Sequence, residues 1–404
     1  MTERLYYHGS FVREFDAQVV SCEPEGDGSR WRVILDRTAF YPTSGGQPHD
    51  TGKIGDANVV EVVDAEDGKG VVHYTSSPVR AGQVHGEIDW ARRIDHMQQH
   101  TGQHLLSAAF VELFHFPTVS FHLGRDASTI DLDAPSIVPR HVEEAERRTN
   151  EIIFEDRAVV IRFGTAEELA EAGIRKKVDR EGVLRAIEVE GFDRQPCGGT
   201  HLERTGQAGM LLLRKLERRR ESWRVEFVCG FRALATARAD FATLTESAAL
   251  LSCGLPETPS VIGKTIEDRR SIHGTARRLE ERLAEHEART LVAQSATDTL
   301  GAEGKGSAAR VVSAAIDEAT PAYLALLAAK ITAESNAVAL LASRSSGHVV
   351  LAQTKNGAAD MGKLLRETLK EFGGKGGGAR DFGQGSLASA MDAEAFLVRA
   401  KKAL

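Results

Sequence analysis

The stretch HMQQHTGQHLL, from His96 to Leu106, sets three histidines at four-residue intervals: His96, His100 and His104. Around it Ile94, Met97, Leu105 and Ala108 fall on one apolar stripe, the periodicity of a helix. On that helix His100 and His104 are i,i+4 neighbours on one face, able to grip a single ion. His96 pairs with His100 at the same spacing, so spacing alone does not choose between His96 and His104. Downstream, QPCGGTHLE (Gln195 to Glu203) offers Cys197 and His201, again four positions apart. Gly198 and Gly199 between them let the backbone turn tightly and aim both side chains inward. Thiolate and imidazole donors suit tetrahedral zinc, so Zn2+ is the predicted cofactor. With 14 His and 4 Cys in 404 residues, chance supplies roughly 0.5 pairs of the first kind and roughly 0.14 of the second. The histidine pair is therefore weak evidence alone, and the Cys–His pair is the more specific signal.

Working outward, residues 1 to about 90 alternate apolar and polar residues between Gly, Asp and Pro breaks, as in RWRVILD (Arg30 to Asp36) and NVVEVVD (Asn58 to Asp64). This predicts a small β-barrel. The histidine helix is expected from about Arg92 to Phe114, followed by a hairpin (TVSFHLG, STIDLD) and a helix from about Pro139 to Asp156. LLLRKLE and SWRVEFVCG read as paired strands. Long Ala-, Arg- and Glu-rich helical patterns then run from about Phe231 to Leu300, and RRLEERLAEHEARTLVAQ suits a helical arm. Gly301 to Ser307 reads as a linker, and the last hundred residues alternate strands (AVALLAS, VVLAQT) with helices. The class is α+β.

Composition fits a multidomain globular chain with 42% hydrophobic residues. No run approaches a membrane span, and MTERLYYHGSF lacks a signal-peptide pattern, so a cytoplasmic protein without a membrane partner is expected. Cys22, Cys229 and Cys253 have no partner at metal spacing and read as small buried residues. The net charge of −7 is uneven: residues 301 to 404 carry 13 Lys/Arg against 10 Asp/Glu. LLLRKLERRRESWR, with Arg214, Lys215, Arg218, Arg219, Arg220 and Arg224, is either a phosphate-facing cluster or a solvated face paired with Glu217 and Glu221.

HTGQHLL followed by CGGTH resembles the editing domain of alanyl-tRNA synthetase and its free-standing relatives, the AlaX proteins. FYPTSGGQPHDTG (Phe40 to Gly52) resembles the glycine motif of the barrel that precedes that domain. GGKGGGARDFGQG (Gly373 to Gly385) is similar to the signature of the DHH-associated domain, and it is not a nucleotide-binding P-loop, since no Lys-Ser or Lys-Thr follows at the required spacing. The motifs stand in the family's order. The resemblance implies a glycine-motif β-barrel over 1–90, a zinc-binding editing domain over 91–232, a helical arm over 233–300 and a C-terminal α/β DHH-associated domain over 301–404, for tRNA binding or dimerisation. The arm makes a homodimer the candidate assembly, and no ATP-binding aminoacylation domain is expected.

The ligand set so implied is His100, His104, Cys197 and His201, with His96 a helix-face or supporting group. Gly45 and Gly46 are expected to turn the backbone near the metal, with Gln47 facing the substrate. Thr101 and Gln103 are pocket candidates, as are Ser120 and His122, which share one face of a presumed strand. Phe121 stands where some members carry Gln. Lys375, Arg380 and the backbone of Gly376, Gly377 and Gly378 are candidate tRNA contacts, together with Arg218 and Arg219.

The implied activity is hydrolysis, in trans, of the ester joining a wrong amino acid to alanine's tRNA, with serine the first candidate and glycine the second. If all four ligands bind together the tetrahedron is closed. Catalysis then needs a fifth position, displacement of a ligand, or an ion that only positions the amino group. Two other readings are a zinc-containing tRNA-binding protein without catalysis, and a deacylase of another aminoacyl-tRNA such as that of threonine.

Overall fold

The computed structural model describes all residues except 1, 27, 67, 69, 176–181, 296, 301–306, 335 and 356. Its described residues fall into two compact units, 1–247 and 248–404.

The first unit opens with a closed six-stranded barrel: β1 (Glu14–Glu25), β2 (Arg30–Leu35), β3 (Gly52–Ile54), β4 (Ala57–Asp64), β5 (Val71–Thr75) and β6 (Gln83–Ile88), in the order β1-β2-β5-β4-β3-β6. The two-residue period predicted from sequence sends Phe15, Ala17, Val33, Leu35, Val59 and Val62 into its core. Immediately after it, α1 (Trp90–Phe114) starts on Asp89, whose side chain accepts the Arg92 N–H. It ends at His115, in the left-handed conformation with φ 59°.

Barrel and helix are locked together by a buried ion pair. Nη2 of Arg93 lies 2.5 Å from Oδ2 of Asp50, and both side chains are fully buried. Arg93 also donates to the carbonyls of Ser10 and Ala39, while Asp50 accepts from the Tyr41 N–H. Breaking such a pair from one side costs about 3–5 kcal/mol, because the remaining charge is left uncompensated.

The hairpin of β7 (Thr118–Leu123) and β8 (Ser128–Leu132) precedes α2 (Pro139–Phe154). A three-stranded antiparallel sheet follows: β9 (Val159–Gly164), β10 (Leu184–Val189) and β11 (Asp193–Pro196). Then β12 (Leu211–Arg218) and β13 (Trp223–Cys229) join the hairpin in a four-stranded sheet ordered β12-β13-β8-β7. Met97, Leu105, Leu106 and Phe110 of α1 pack with Ile130, Val225 and Phe227 of that sheet and Ile152 of α2.

The apolar stripe expected on α1 is only part of its burial. From His96 to Phe110 every residue is buried, polar ones included. Gln99 exchanges hydrogen bonds with the backbone of Cys229, and Gln98 bonds the Gln207 carbonyl and the Phe231 N–H. α1 is thus the central rod of this unit; Gln98 and Gln99 are satisfied by these specific partners, whereas Gln103 Oε1 and Nδ1 of His96 and of His104 have no hydrogen-bond partner among the described residues. Helix α3 (Phe231–Leu250) follows β13.

In the second unit, α4 (Thr258–Gln294) leads into a six-stranded sheet. Its elements are β14 (Thr297–Leu300), β15 (Ser307–Ile316), α5 (Pro321–Glu334), β16 (Ala337–Ser343), β17 (His348–Gln353), α6 (Met361–Glu371), β18 (Lys375–Ala379), β19 (Phe382–Ser386) and α7 (Ala393–Lys402). The strand order is β14-β15-β16-β17-β19-β18, with β15 and β16 parallel across α5. Alternate residues of β16 feed opposite layers: Val338, Leu340 and Ala342 meet α6 and α7, whereas Ala337, Ala339 and Leu341 meet α4 and α5. The expected linker lies, but for Ser307, outside the described residues.

The stretch holding the candidate tRNA-contacting glycines is an edge strand: Lys375 to Ala379 forms β18, paired antiparallel with β19. A Cβ on Gly376 would lie 2.7 Å from Leu369 Cδ1 of α6, and one on Gly378 would lie 2.4 Å from the Cα of Gly383. These glycines let two strands and a helix close on one another. Gly377, by contrast, would meet nothing within 4 Å, and Lys375 and Arg380 are exposed.

Among the described residues, no helix is long and apolar enough to cross a membrane.

Candidate metal centre

One helix and one loop bring the predicted quartet together. His100 and His104 stack one turn apart on α1, with ring centroids 5.2 Å apart. The loop after β11 carries Cys197 and His201 against them, with the His201 centroid 4.3 Å from that of His100 and 4.6 Å from that of His104. One donor atom from each of the four residues lies within 4.8 Å of all the others. Sγ of Cys197 is 3.5 Å from Nε2 of His100 and 3.3 Å from Nε2 of His201. Tetrahedral zinc–sulfur and zinc–nitrogen bonds imply an S···N edge of about 3.6 Å, so the thiol and imidazoles are already at coordination spacing.

The opposite ring nitrogens explain the orientation. Nδ1 of His100 is 2.8 Å from Oε1 of Gln47, and Nδ1 of His201 is 3.2 Å from the Thr101 hydroxyl. Nδ1 of His104 faces Oδ2 of Asp193 at 3.8 Å, beyond hydrogen-bond range. Asp193 is held in turn by Arg175, whose Nε lies 2.8 Å from Oδ1. Outer partners of this kind fix the tautomer that leaves Nε2 free for an ion.

Burial sets the protonation states. Desolvation drives the pKa of His100 and His201 well below the usual imidazole value. It lowers that of His104 to about 3, helped by the charges of Arg175 and Arg185. All three are therefore neutral donors at physiological pH. Burial pushes the Cys197 thiol up, opposed by the Gly199 N–H and by the Arg185 guanidinium. Arg185 itself is buried, donating to the carbonyls of Cys197, Gly199 and Tyr7. Converging, neutral, buried nitrogens and a sulfur beside a cation fit zinc by donor chemistry and by spacing.

The loop can approach this closely only because of a glycine. A Cβ on Gly199 would lie 2.2 Å from Cε1 of His100. Beside the quartet opens a cavity of about 780 Å³, walled by Tyr41, Gln103, Phe121, Arg175 and Gln195 among others.

Residues 8–92 match the class II (A) tRNA synthetase family, and residues 184–226 match the threonyl and alanyl tRNA synthetase second additional domain. The chain is 30% identical over 397 residues to the alanyl-tRNA editing protein AlaX-L of Pyrococcus horikoshii, covering 96% of this chain and 95% of that one. It belongs to the AlaX-L/Aarsd1 family of alanyl-tRNA editing proteins. The mouse member, Aarsd1, is 29% identical over 94% of this chain and 93% of its own. The alanine–tRNA ligase of Pyrococcus abyssi is 30% identical over 96% of this chain but only 42% of its own length. The first two alignments run nearly end to end, whereas the ligase has more than half its length outside the match.

The structure redistributes the other residues expected at this family's site. Gln47 is fully buried and does not face the cavity: it bonds His100 and both the N–H and hydroxyl of Thr200. It acts behind the ligand. Thr101 likewise sits behind His201 and accepts the Leu202 N–H, so it is not a wall residue. Gly45 and Gly46 do form the tight turn, with φ of 53° and 84°. A Cβ on Gly46 would lie 2.8 Å from the Phe121 ring. On β7 it is Phe121 that turns inward, with its ring 5.6 Å from that of His100.

Ser120 and His122 therefore take the opposite, exposed face, since side chains alternate along a strand. The Ser120 hydroxyl donates to Asp131, although the residue still borders the cavity mouth. His96 is buried against α1's surroundings with its pKa lowered to about 4 by desolvation, and it is outside the quartet. Arg219 pairs with Glu217, and Arg218 lies over the Trp223 ring at 5.1 Å. Much of the basic run is thus internally paired, with Arg214 on Asp240 and Arg224 on Asp131.

Sequence reasoning missed Asp193, Arg175, Arg185 and Gln195. One signal was available. In DRQPC the alternation of a strand puts residues 193 and 195 on one face, and Cys197 follows directly in the loop that leads to the site.

Proposed function

We propose that this chain is a trans-acting, zinc-dependent hydrolase that removes serine from mischarged alanine tRNA, with glycine as a second substrate. The observation that carries the reading is the convergence of four neutral or thiolate-capable donors beside a cavity of about 780 Å³, roomy enough for an aminoacyl ester with its ribose, in a chain of the editing family. His100, His104, Cys197 and His201 would hold the ion. When bound, zinc supplies Lewis acidity for an ester carbonyl and lowers the pKa of water toward ~7.

The chain's own groups do the rest. Gln47 and Thr101 keep the His100 and His201 imidazoles oriented, Asp193 faces His104 at 3.8 Å, and burial keeps all three unprotonated. Phe121 and the buried length of α1 exclude bulk water from the inner end of the cavity. Arg175 lies in the wall with its guanidinium paired to Asp193, fixing the carboxylate that faces His104. We assign the barrel, editing, arm and C-terminal segments their roles at 1–90, 91–232, 233–300 and 301–404. In the last, Lys375 and Arg380 on the exposed sheet edge are proposed to meet tRNA.

The test is release of amino acid from seryl- and alanyl-charged alanine tRNA by purified protein. Rapid loss of serine with alanine spared is the expected result. Serine release no faster than spontaneous hydrolysis, from folded zinc-loaded protein, would overturn the reading.

A further inference from the structure

Both cavity walls beside the quartet are regular elements, which fixes the side chains they show. On α1, Gln103 adjoins the ligand His104 and lines the cavity. On β11, the two-residue period places Gln195 on the face of Asp193, and Gln195 also lines the cavity. These two carboxamides share an anomaly. Oε1 of Gln103 and Oε1 of Gln195 are both buried and have no hydrogen-bond partner among the described residues. Buried acceptors are rarely left unpaired, so a ligand's donors are the expected complement.

Several other polar side chains of the wall are committed. Tyr41 donates to the Ser44 carbonyl, Ser120 to Asp131, and Arg175 to Asp193. Phe121 offers only carbon. The amino-acid part of a seryl ester carries two kinds of donor, the α-ammonium and the side-chain hydroxyl. Two donors meet two free acceptors.

Their settings divide the roles. Gln103 is clamped from behind: its Nε2 donates to Ser107 Oγ at 2.9 Å, and Ser107 also accepts from Thr118 at 2.7 Å. An acceptor held this firmly can tell a hydroxyl from a hydrogen, because it cannot swing away to another partner. Gln195 lies on the strand face of Asp193 with its carbonyl oxygen buried and unpaired among the described residues, an acceptor for the α-ammonium that every aminoacyl ester carries.

Resting on the proposed editing function, we infer that Gln103 reads the hydroxyl of serine and Gln195 holds the α-ammonium of the aminoacyl group. An alanyl ester would leave the Gln103 amide unpaired, which disfavours it relative to a seryl ester. Exchanging oxygen and nitrogen of that amide would present an N–H instead, and serine Oγ accepts as readily as it donates. The selectivity argument survives either orientation.

The experiment uses the full chain, its zinc content measured, and stable amide-linked seryl and alanyl analogues of aminoacylated alanine tRNA. Affinity for each analogue is compared in wild type, Gln103→Met and Gln195→Met. Methionine keeps the side-chain length and removes the amide. Gln103→Met is expected to weaken seryl binding at least about tenfold and to leave alanyl binding within about twofold. Gln195→Met is expected to weaken both by a similar factor.

Equal losses for both analogues in Gln103→Met, with zinc retained, would overturn the assignment, as would no loss in either variant. Wild type that binds neither analogue overturns it too. Failure of hydrolysis is read separately: protein that prefers the seryl analogue but releases no serine contradicts the editing function and supports the pocket assignment.

Discussion

At Gly199 an added Cβ would meet the ring of His100 at 2.2 Å, whereas at Gly385 it would meet Cδ1 of Leu369 at 2.6 Å. Both glycines belong to motifs that stand out in the sequence, yet they make room for different things. In the loop after β11 the room is for an imidazole that must point at a shared centre. In the β18–β19 hairpin it is for the apolar face of α6. A glycine-rich run is therefore not by itself a ligand cradle. The neighbour that occupies the missing Cβ position says which kind it is.

The largest effect that separates the two is expected from Gly199→Ala. Displacing His100 should strip zinc and lower serine release at least about 100-fold, with the far-ultraviolet spectrum intact. Metal analysis beside single-turnover kinetics reads this directly, and normal zinc content in the variant would break the comparison. Next comes Arg93→Met, which leaves Asp50 buried without its partner. The first unit should lose about 3–5 kcal/mol in urea unfolding. A loss below about 1 kcal/mol would mean that the ion pair contributes little to joining barrel and helix.

A third test sets a buried histidine outside the quartet against those within it. His73, in the barrel, is lowered to about 4 by desolvation, but its two nitrogens already face Thr38 and the Val33 carbonyl. Its folded value lies below the unfolded value of about 6.5. The contribution is thus complete above about pH 6.5 and is lost as pH falls toward 4, because the unfolded chain binds a proton that the folded one refuses. His73→Gln should flatten the acid limb of stability by about one proton, worth at most about 3 kcal/mol at pH 4. Zinc content should not change. An unaltered limb would show that this imidazole does not set acid stability.

The smallest effect is expected at the hairpin. Gly385→Ala should destabilise the second unit by about 1–3 kcal/mol through overpacking. Serine release under saturating conditions should stay within about twofold. A zinc loss there would erase the distinction.

How much of this was readable beforehand follows from which forces act locally. Strand alternation in RWRVILD and NVVEVVD, and the cap-to-Phe114 run of α1, are local, and both elements form where the pattern puts them. Ligand spacing is local too, but it left His96 and His104 open, and it was the resemblance to the editing domain that implied His100, His104, Cys197 and His201. What was not legible depends on contacts distant in sequence. Gln47 turns to His100 and Thr200, 53 and 153 residues away, so its side chain lies behind the metal instead of before the substrate. The inward face of β7 is set by packing of Phe121 against Gly46 and His100, which a lone TVSFHLG cannot reveal. That Gly376 and Gly385 make room for Leu369 of α6 was equally illegible, because composition does not record which helix packs on a strand.

The most direct test of the central claim measures zinc per chain and serine release together, in wild type and in Cys197→Ala. The account predicts about one zinc per wild-type chain with rapid serine release, and loss of both in the variant. Undiminished serine release from a variant that carries no metal would contradict it.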